Sequence, residues 1–281
     1  MNNFIHFLNG KFVTEENLLI SPRDLGFSRG FAVHDFIVTY NNNPFRLTQH
    51  LDRLFKSADI IGLKIPWSKE QIVTWVKEAL DKNDKKTEKT IRIFLTGGQS
   101  NTMLQSETPT LMMFISKRIR KPQEDYEKGI KVRAVNYVRP YPKAKTNFYI
   151  EGVKELSKVE NKKIAEIIYY DESQVFEGTG SNLFAVINNE LVTTKSNIVE
   201  GITRNILLEI LKLSIPIKIQ DFNLGELMKA SEVFLTGSNS EIRGVVEING
   251  NTVGNGKVGP ITKEALKQYR EYIKIETGKK F

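Results

Sequence analysis

Residues 140–149 read PYPKAKTNFY: two lysines, Lys143 and Lys145, stand two positions apart with an aromatic run directly behind them. Soluble proteins ordinarily keep lysine solvated. Taken alone, the stretch supports two readings: two charges at the mouth of a loop, or one solvated charge and one amine that acts as a reagent. The segments on either side decide between them, and that choice carries the fold with it.

Just upstream, IKVRAVNYV (130–138) reads as a strand, and the lysines lead into a predicted helix over residues 147–161. Downstream, short strands are expected in AEIIYYD, QVFEG, SNLFAVIN and ELVTT, with a turn at Asn188–Asn189. ITRNILLEILKLS reads as a helix with Ile206, Leu207, Ile210 and Leu211 inward. EVFLTGS and RGVVEI read as strands, and PITKEALKQYREYIKIE as a helix with Pro260 near its start. Further upstream, FIHFLNGKFV predicts a hairpin turning at Asn9-Gly10, and HDFIVTYNNNPFRL a second turning at Asn41–Asn43. TQHLDRLFKSADIIGL puts Leu51, Leu54, Phe55 and Ala58 on one helical face, with Thr48 expected as N-cap. SKEQIVTWVKEAL is a helix with Ser68 and Gln71 at capping-box spacing, and TIRIFLTGG and TLMMFISKR are strands. Residues 117–129 are polar and aperiodic, so the boundary is expected there: a smaller N-terminal α/β domain over 1–118, a linker over 119–129, and a larger C-terminal domain over 130–281. Runs of strands with interspersed helices make both domains α+β or α/β.

The 281 residues are 40% apolar and 26% charged, as in an ordinary soluble globular chain long enough to bury a sizeable core. There is no cysteine, which excludes disulfides, thiolate catalysis and Cys-based zinc sites. MNNFIHFLNGKFVTEE lacks the basic and apolar regions of a signal peptide, and no apolar run approaches the roughly 18 residues of a membrane span. A cytoplasmic protein without a membrane partner is expected. The net charge is +8, but acids are interspersed among the bases. The densest basic clusters, KNDKKTEK (82–89) and SKRIRKP (116–122), carry no aromatics for base stacking, so no nucleic-acid partner is expected. The surplus suits solubility or the attraction of a phosphorylated or carboxylate ligand. His6, His34 and His50 are too scattered to form a metal motif, and HExxH and Walker A patterns are absent. Composition and spacing stop at a soluble two-domain α/β protein and leave an anion site open.

Six segments in order say more: FRLTQHLDRLFKSA (45–58), KTNFY (145–149), FEGTGSNLF (176–184), EGITRNIL (200–207), FLTGSNSEI (234–242) and GKVGPIT (256–262). No single one is decisive, but the series resembles the class IV aminotransferases, the pyridoxal-phosphate enzymes of fold type IV. That group holds branched-chain aminotransferases, D-amino acid aminotransferases and 4-amino-4-deoxychorismate lyases. The resemblance runs from Asp24 to about Tyr269. It implies an α/β (α+β) fold whose larger C-terminal domain has a mixed, barrel-like sheet, the cofactor pyridoxal 5′-phosphate, and a homodimer.

It also implies roles. A lysine amine carries the cofactor. In the family that lysine lies at a set distance before a glutamate that opens an E-x-x-x-S-N-like run; Lys145 and Glu177 fit, with Asn182 five residues after Glu177. Lys143 fits less well, because the K-T-N step begins at Lys145. Glu177 would keep the pyridine nitrogen protonated, since an opposite charge favours the charged form. GITR (201–204) leads into a helix whose Ile202 and Thr203 amides would meet a phosphate, with the Thr203 hydroxyl in support. Ser238 and Asn239 in TGSN would add donors, and Arg53 in HLDRL matches the family's phosphate arginine. Tyr149 resembles the tyrosine that hydrogen-bonds the cofactor's phenolic oxygen.

The departures bear on substrate. Where many members read GDGVFE, this chain reads GFAVHDF (30–36), with His34 in an aromatic position and Asp35 replacing Glu. The R-x-x-x-x-R-x-H carboxylate pattern is missing, with LTGGQSN (95–101) in its place, and the branched-chain Y-x-R-P pattern does not stand at that place either. Arg29 in SRGF and Arg92 in TIRIFLTGG remain, a combination that resembles a less usual D-amino acid subgroup. Arg29, His34 and Arg92 are therefore the expected substrate contacts. The expected reaction moves an amino group between a D-amino acid or branched-chain L-amino acid and a 2-oxo acid. The alternative is an aminodeoxychorismate lyase, which eliminates pyruvate and needs the same lysine. A binding protein that has lost catalysis would not need both Lys145 and Glu177.

Overall fold

The computed structural model describes residues 4–159 and 164–279. The chain groups into two compact units, Met1–Ile119 with Lys143–Phe148, and Arg120–Pro142 with Tyr149–Phe281.

The first unit is an antiparallel sheet of β1 (His6–Leu8), β2 (Lys11–Val13), β3 (Ala32–Tyr40), β4 (Asn43–Pro44), β5 (Lys89–Gln99) and β6 (Thr108–Lys117), in the order β2-β1-β6-β5-β3-β4. Both expected hairpins are present. Asn9 and Gly10 have φ of 47° and 87°, and Asn41 and Asn42 have φ of 51° and 62°, the left-handed pair that a tight two-residue hairpin demands. Three helices accompany the sheet: α1 (Leu25–Arg29), α2 (Leu47–Ile60) and α3 (Lys69–Asp81). Ser68 and Gln71 form the expected capping box on α3. Thr48 is not the N-cap of α2: the chain leaves β4 through Arg46, which takes a left-handed φ of 55° and starts the helix at Leu47. Leu51, Leu54 and Ala58 of α2, and Ile72 and Val76 of α3, share a core with Val33, Ile37, Ile91 and Ile93 of the sheet.

The second unit holds α4 (Gln123–Glu127), β7 (Ile130–Asn136), α5 (Ile150–Ser157), β8 (Ile164–Tyr170), β9 (Val175–Gly178), β10 (Asn182–Ile187), β11 (Glu190–Thr193), α6 (Ile202–Ile210), β12 (Ile217–Ile219), α7 (Leu224–Leu227), β13 (Glu232–Gly237), β14 (Glu241–Ile248), β15 (Asn251–Thr252) and α8 (Pro260–Thr277). Its strands run β12-β11-β10-β13-β14-β7-β8-β9, with β15 beside β14. The β7–β8, β7–β14 and β11–β12 pairs are parallel and the others antiparallel, so the sheet is mixed.

This sheet cannot be flat. From β10 to β9 there are five interstrand steps, roughly 24 Å at about 4.8 Å each. Yet Gly178 and Asn182 are only four residues apart, and four Cα steps reach at most about 14 Å. The sheet must curl, and one core runs around its inside: Val132, Ile168, Val175, Leu183, Val192, Val233 and Val245 come from seven different strands. The apolar alternation that the short strands showed in sequence is what one enclosed face requires.

Two segments differ from expectation. The polar stretch before β7 holds the short helix α4. The helix after the lysines begins only at Ile150, because residues 145–147 are drawn onto β3: Thr146 bridges Val33, and the Asn147 N–H donates to the Ala32 carbonyl at 3.2 Å. This pairing is why Lys143–Phe148, expected in the C-terminal domain, groups with the first unit. Residues 160–161 of the expected helix lie outside the described residues.

Candidate active site

Lys145 is fixed at both of its backbone groups. Its N–H donates to Ser57 Oγ at 3.0 Å, and its carbonyl accepts from the His34 N–H at 2.9 Å. Ser57 is buried on α2, where its hydroxyl donates to the Arg53 carbonyl at 2.7 Å. Lys145 is half-buried and Lys143 exposed. The Lys145 charge acts on His34 and on His50, so its ammonium is felt inside this cluster.

Period-two alternation splits β3 between two faces. Asp35, between Val33 and Ile37, turns toward α2 and is fully buried. Its Oδ1 accepts from Arg53 Nη2 at 2.8 Å and from the Phe36 N–H at 2.7 Å, and lies 2.6 Å from His50 Nδ1; its Oδ2 accepts from Arg53 Nε at 2.8 Å. Burial alone would push this carboxyl up, but the Arg53 guanidinium and then His50 outweigh it and hold the group well below the usual carboxylate range. Burial lowers His50, so its ring is neutral. A neutral ring bonding a carboxylate through Nδ1 carries its proton there.

The other face of β3 carries His34 and Phe36, which pair across to Phe94 and Arg92 of β5. The His34 ring tilts against Phe94 with centroids 5.9 Å apart, and the Arg92 guanidinium lies 5.6 Å from the Phe36 centroid. His34 Nδ1 is sealed from solvent. Burial first, and the Lys145 charge second, lower His34 to about 3. The neutral ring therefore supplies no positive charge for a carboxylate. Arg92 is exposed on the same face as His34. Arg29, at the exposed end of α1, donates to the Ser28 carbonyl at 2.8 Å and approaches Met103 Sδ at 3.8 Å.

In the second unit, Glu177 is buried on β9. Its Oε1 accepts from Arg139 Nη2, which also donates to the Pro142 carbonyl at 2.9 Å. Asn182 Nδ2 donates to Glu177 Oε2 at 3.0 Å and to the Val199 carbonyl at 2.8 Å, while the Val199 N–H reaches both carboxylate oxygens at 3.2 Å. Two residues on, Gly201 caps α6 with no side-chain hydrogen bond, so the helix's leading amides present a partial positive charge. A Cβ at Gly201 would overlap Asn182 Oδ1, which is why the approach of α6 to Glu177 needs glycine. The Thr203 hydroxyl lies 3.5 Å from that of Tyr269. Asn182 pairs with Thr236 of β13, and the half-buried Ser238 and Asn239 follow in the turn to β14. Tyr149 stands half-buried at the start of α5.

The first unit thus brings Lys145, His34 and Arg53 together, with Arg92 on the His34 face. The second gathers Glu177, the α6 N-terminus and the strand leading to the Ser238–Asn239 turn around Asn182. Asp35, His50, Ser57 and Arg139 were not among the residues expected from sequence. His50 and Arg53 stand three apart on one helical face, a spacing that signals a shared partner. Nothing in the spacing of Arg139 signals Glu177. Chemically, the held lysine of the first unit offers an amine that can add to a carbonyl carbon, and the second unit by itself offers a buried carboxylate for a cationic group and an amide-rich helix N-terminus for an anion.

Comparison with known proteins turns these features into a class: enzymes that transfer amino groups. The Amino-transferase class IV family matches residues 32–248, and the chain belongs to that family. It is similar to the D-alanine aminotransferase of Staphylococcus haemolyticus, 29% identical over 97% of this chain and 99% of that protein. It is also similar to a putative branched-chain-amino-acid aminotransferase of Methanocaldococcus jannaschii, 32% identical over 94% of this chain and 95% of that protein. Among solved structures, the branched-chain aminotransferase of the thermophilic archaeon Thermoproteus uzoniensis, solved with norvaline, superposes with a TM-score of 0.87 at 27% identity, covering 99% of this chain and 96% of that one.

Proposed function

We propose that the protein is a pyridoxal 5′-phosphate-dependent transaminase that moves an amino group between an amino acid, D- or branched-chain L-, and a 2-oxo acid. One observation carries the reading most directly: Lys145 is held at both its N–H and its carbonyl and is half-buried beside the His34–Asp35–His50–Arg53 cluster, whereas Lys143 is exposed. The donor set suits the cofactor. Glu177, kept in place by Asn182 and the Val199 N–H, would hold the ring nitrogen. The Ile202 and Thr203 amides, Ser238, Asn239 and Arg53 would hold the phosphate, and Tyr149 the phenolic oxygen. When bound, pyridoxal 5′-phosphate supplies an electron sink for the negative charge left on the substrate Cα.

The chain's own work is then positioning and proton transfer. Lys145 Nζ would take the proton from the substrate Cα and give it back on the way to product. His34, uncharged, leaves the Lys145 amine without a competing cation and lines the face where Arg92 would meet the substrate carboxylate. Arg29 would serve the same carboxylate. A homodimer acting in the cytoplasm is the state that the family resemblance supports.

The test is an absorbance screen of half-reactions across D- and L-amino acids, repeated with Arg29→Ala and Arg92→Ala. Spectral turnover with amino acids supports the transaminase reading. Pyruvate release from aminodeoxychorismate without any 2-oxo acid overturns it in favour of the lyase. The arginine variants are expected to raise the half-saturating concentration for amino acids and spare simple amines, since an amine offers no carboxylate to hold. Equal losses for both would remove the carboxylate role.

A further inference from the structure

We propose that Asp35 is a positioning residue: it fixes the Arg53 guanidinium in one orientation for a phosphate, and His50 fixes Asp35 in turn. The proposal rests on the reading that Arg53 holds a phosphate.

The geometry is that of a clamp. Arg53 commits Nε and Nη2, one whole edge of its fork, to the two oxygens of a single carboxylate, both at 2.8 Å. Two parallel bonds fix the guanidinium plane as well as its position, which one bond would not do. The carboxylate is held from behind by His50 Nδ1 at 2.6 Å and by the Phe36 N–H at 2.7 Å. Each member comes from rigid structure: Asp35 from the middle of β3, and His50 and Arg53 from successive turns of α2.

Stability alone accounts poorly for this arrangement. The surroundings are apolar, with Val33, Ile37, Leu51 and Leu54 all buried. A buried ion pair in such a setting is often matched or bettered by apolar residues of the same volume. The exposures point outward instead: the Asp35 side chain has none, while the Arg53 side chain keeps 12%. The acid is the anchor, and the guanidinium is the end a ligand can reach. One carboxylate offsets one guanidinium and His50 is neutral, so the group offers directed N–H bonds with little net charge. Such a group discriminates a phosphate by geometry and depends on its clamp.

The test compares binding of pyridoxal 5′-phosphate and of pyridoxal, which lacks the phosphate, to the full chain cleared of cofactor. The ratio of the two dissociation constants is the phosphate preference. Arg53→Ala is expected to cut that preference roughly ten- to a hundredfold. Asp35→Asn, with Arg53 intact, is expected to come within a few-fold of the same loss, and His50→Gln to lose a smaller part. Adding Asp35→Asn to Arg53→Ala should cost nothing more, because the two act through one contact. Circular dichroism confirms that each variant is folded. If Asp35→Asn does not fold, Asp35→Ser replaces it: it removes the carboxylate with a smaller polar side chain, and should still cut the preference. An unchanged preference in the Asp35 variant, or additive losses in the double variant, overturns the proposal. If Arg53→Ala itself leaves the preference intact, the phosphate role of Arg53 falls and the proposal with it, while the transaminase reading still stands on Lys145.

Discussion

Lys145 and Lys143 share a side chain and a neighbourhood in sequence, and differ in what holds their backbone. A reagent amine has to return to one place in every cycle, and a lysine side chain has four flexible bonds with which to miss it. Anchoring the Lys145 N–H on Ser57 and its carbonyl on the His34 N–H removes backbone freedom from that uncertainty. Borohydride treatment of the cofactor-loaded protein is therefore expected to leave the pyridoxyl label on the Lys145 peptide in a mass-spectrometric map, and Lys145→Ala to lose turnover while retaining cofactor through the phosphate contacts. A label on Lys143 would reverse the assignment. At this scale sequence offers a candidate where the family resemblance sets one residue's spacing to another along the chain, as from Lys145 to Glu177. It was silent on Ser57 and Arg139, because a serine inside a helix and an arginine before a proline have ordinary explanations until tertiary structure brings a partner within about 3 Å. His34 is an intermediate case: its place on the strand was readable, but its loss of charge depends on burial.

Elements with strong periodicity or turn chemistry were legible. Asn9-Gly10, Asn41–Asn42 and Asn188–Asn189 all take positive φ, as side chains that tolerate left-handed backbone do. The three-residue β12 and four-residue α7 went unread, since neither runs through a second full period of its own pattern. Nor did sequence foretell the pairing of residues 145–147 with β3, which comes from distant chain. The element on which the site depends most closely is α6, whose N-cap Gly201 lies against Asn182. Gly201→Ala should push that amide off Glu177 or push the helix away. Either shift is expected to weaken cofactor binding at least about tenfold, the loss of one charge-assisted hydrogen bond, with helix content unchanged by circular dichroism. Wild-type affinity in that variant would show that α6 can move without disturbing Glu177.

The three histidines are all lowered chiefly by burial, and this bears on how the whole molecule responds to acid. For His34 the ordinary value is 6.5 and the folded value about 3. Between those values the unfolded chain takes up a proton that the folded chain refuses. The stability held by the neutral ring is thus complete above pH 6.5 and drains away as pH falls toward 3. Asp35, depressed below its ordinary 3.8, withdraws its own contribution only at lower pH still. The melting temperature is accordingly expected to fall between about pH 7.5 and about pH 5, and to fall less steeply in His34→Phe. Identical slopes in the two proteins would mean that His34 takes up its proton without cost.

The short connection Thr179–Ser181 joins strands that stand five places apart in the sheet order. Glu177 lies just before this join and Asn182 just after it. A chain with its hairpins formed, but with β7 not yet paired with β14, would own much of its secondary structure while the sheet around Glu177 and Asn182 stayed open. The parallel β7–β14 pairing, spanning more than a hundred residues of sequence, makes that final gathering slow relative to hairpin formation. Competence to retain the cofactor is then a late event in folding and works as a seal on its completion. In refolding from denaturant, far-ultraviolet ellipticity should recover ahead of the cofactor's bound-state absorbance, and the lag should persist at saturating cofactor, because it measures the closing of the chain upon itself and not an encounter in solution.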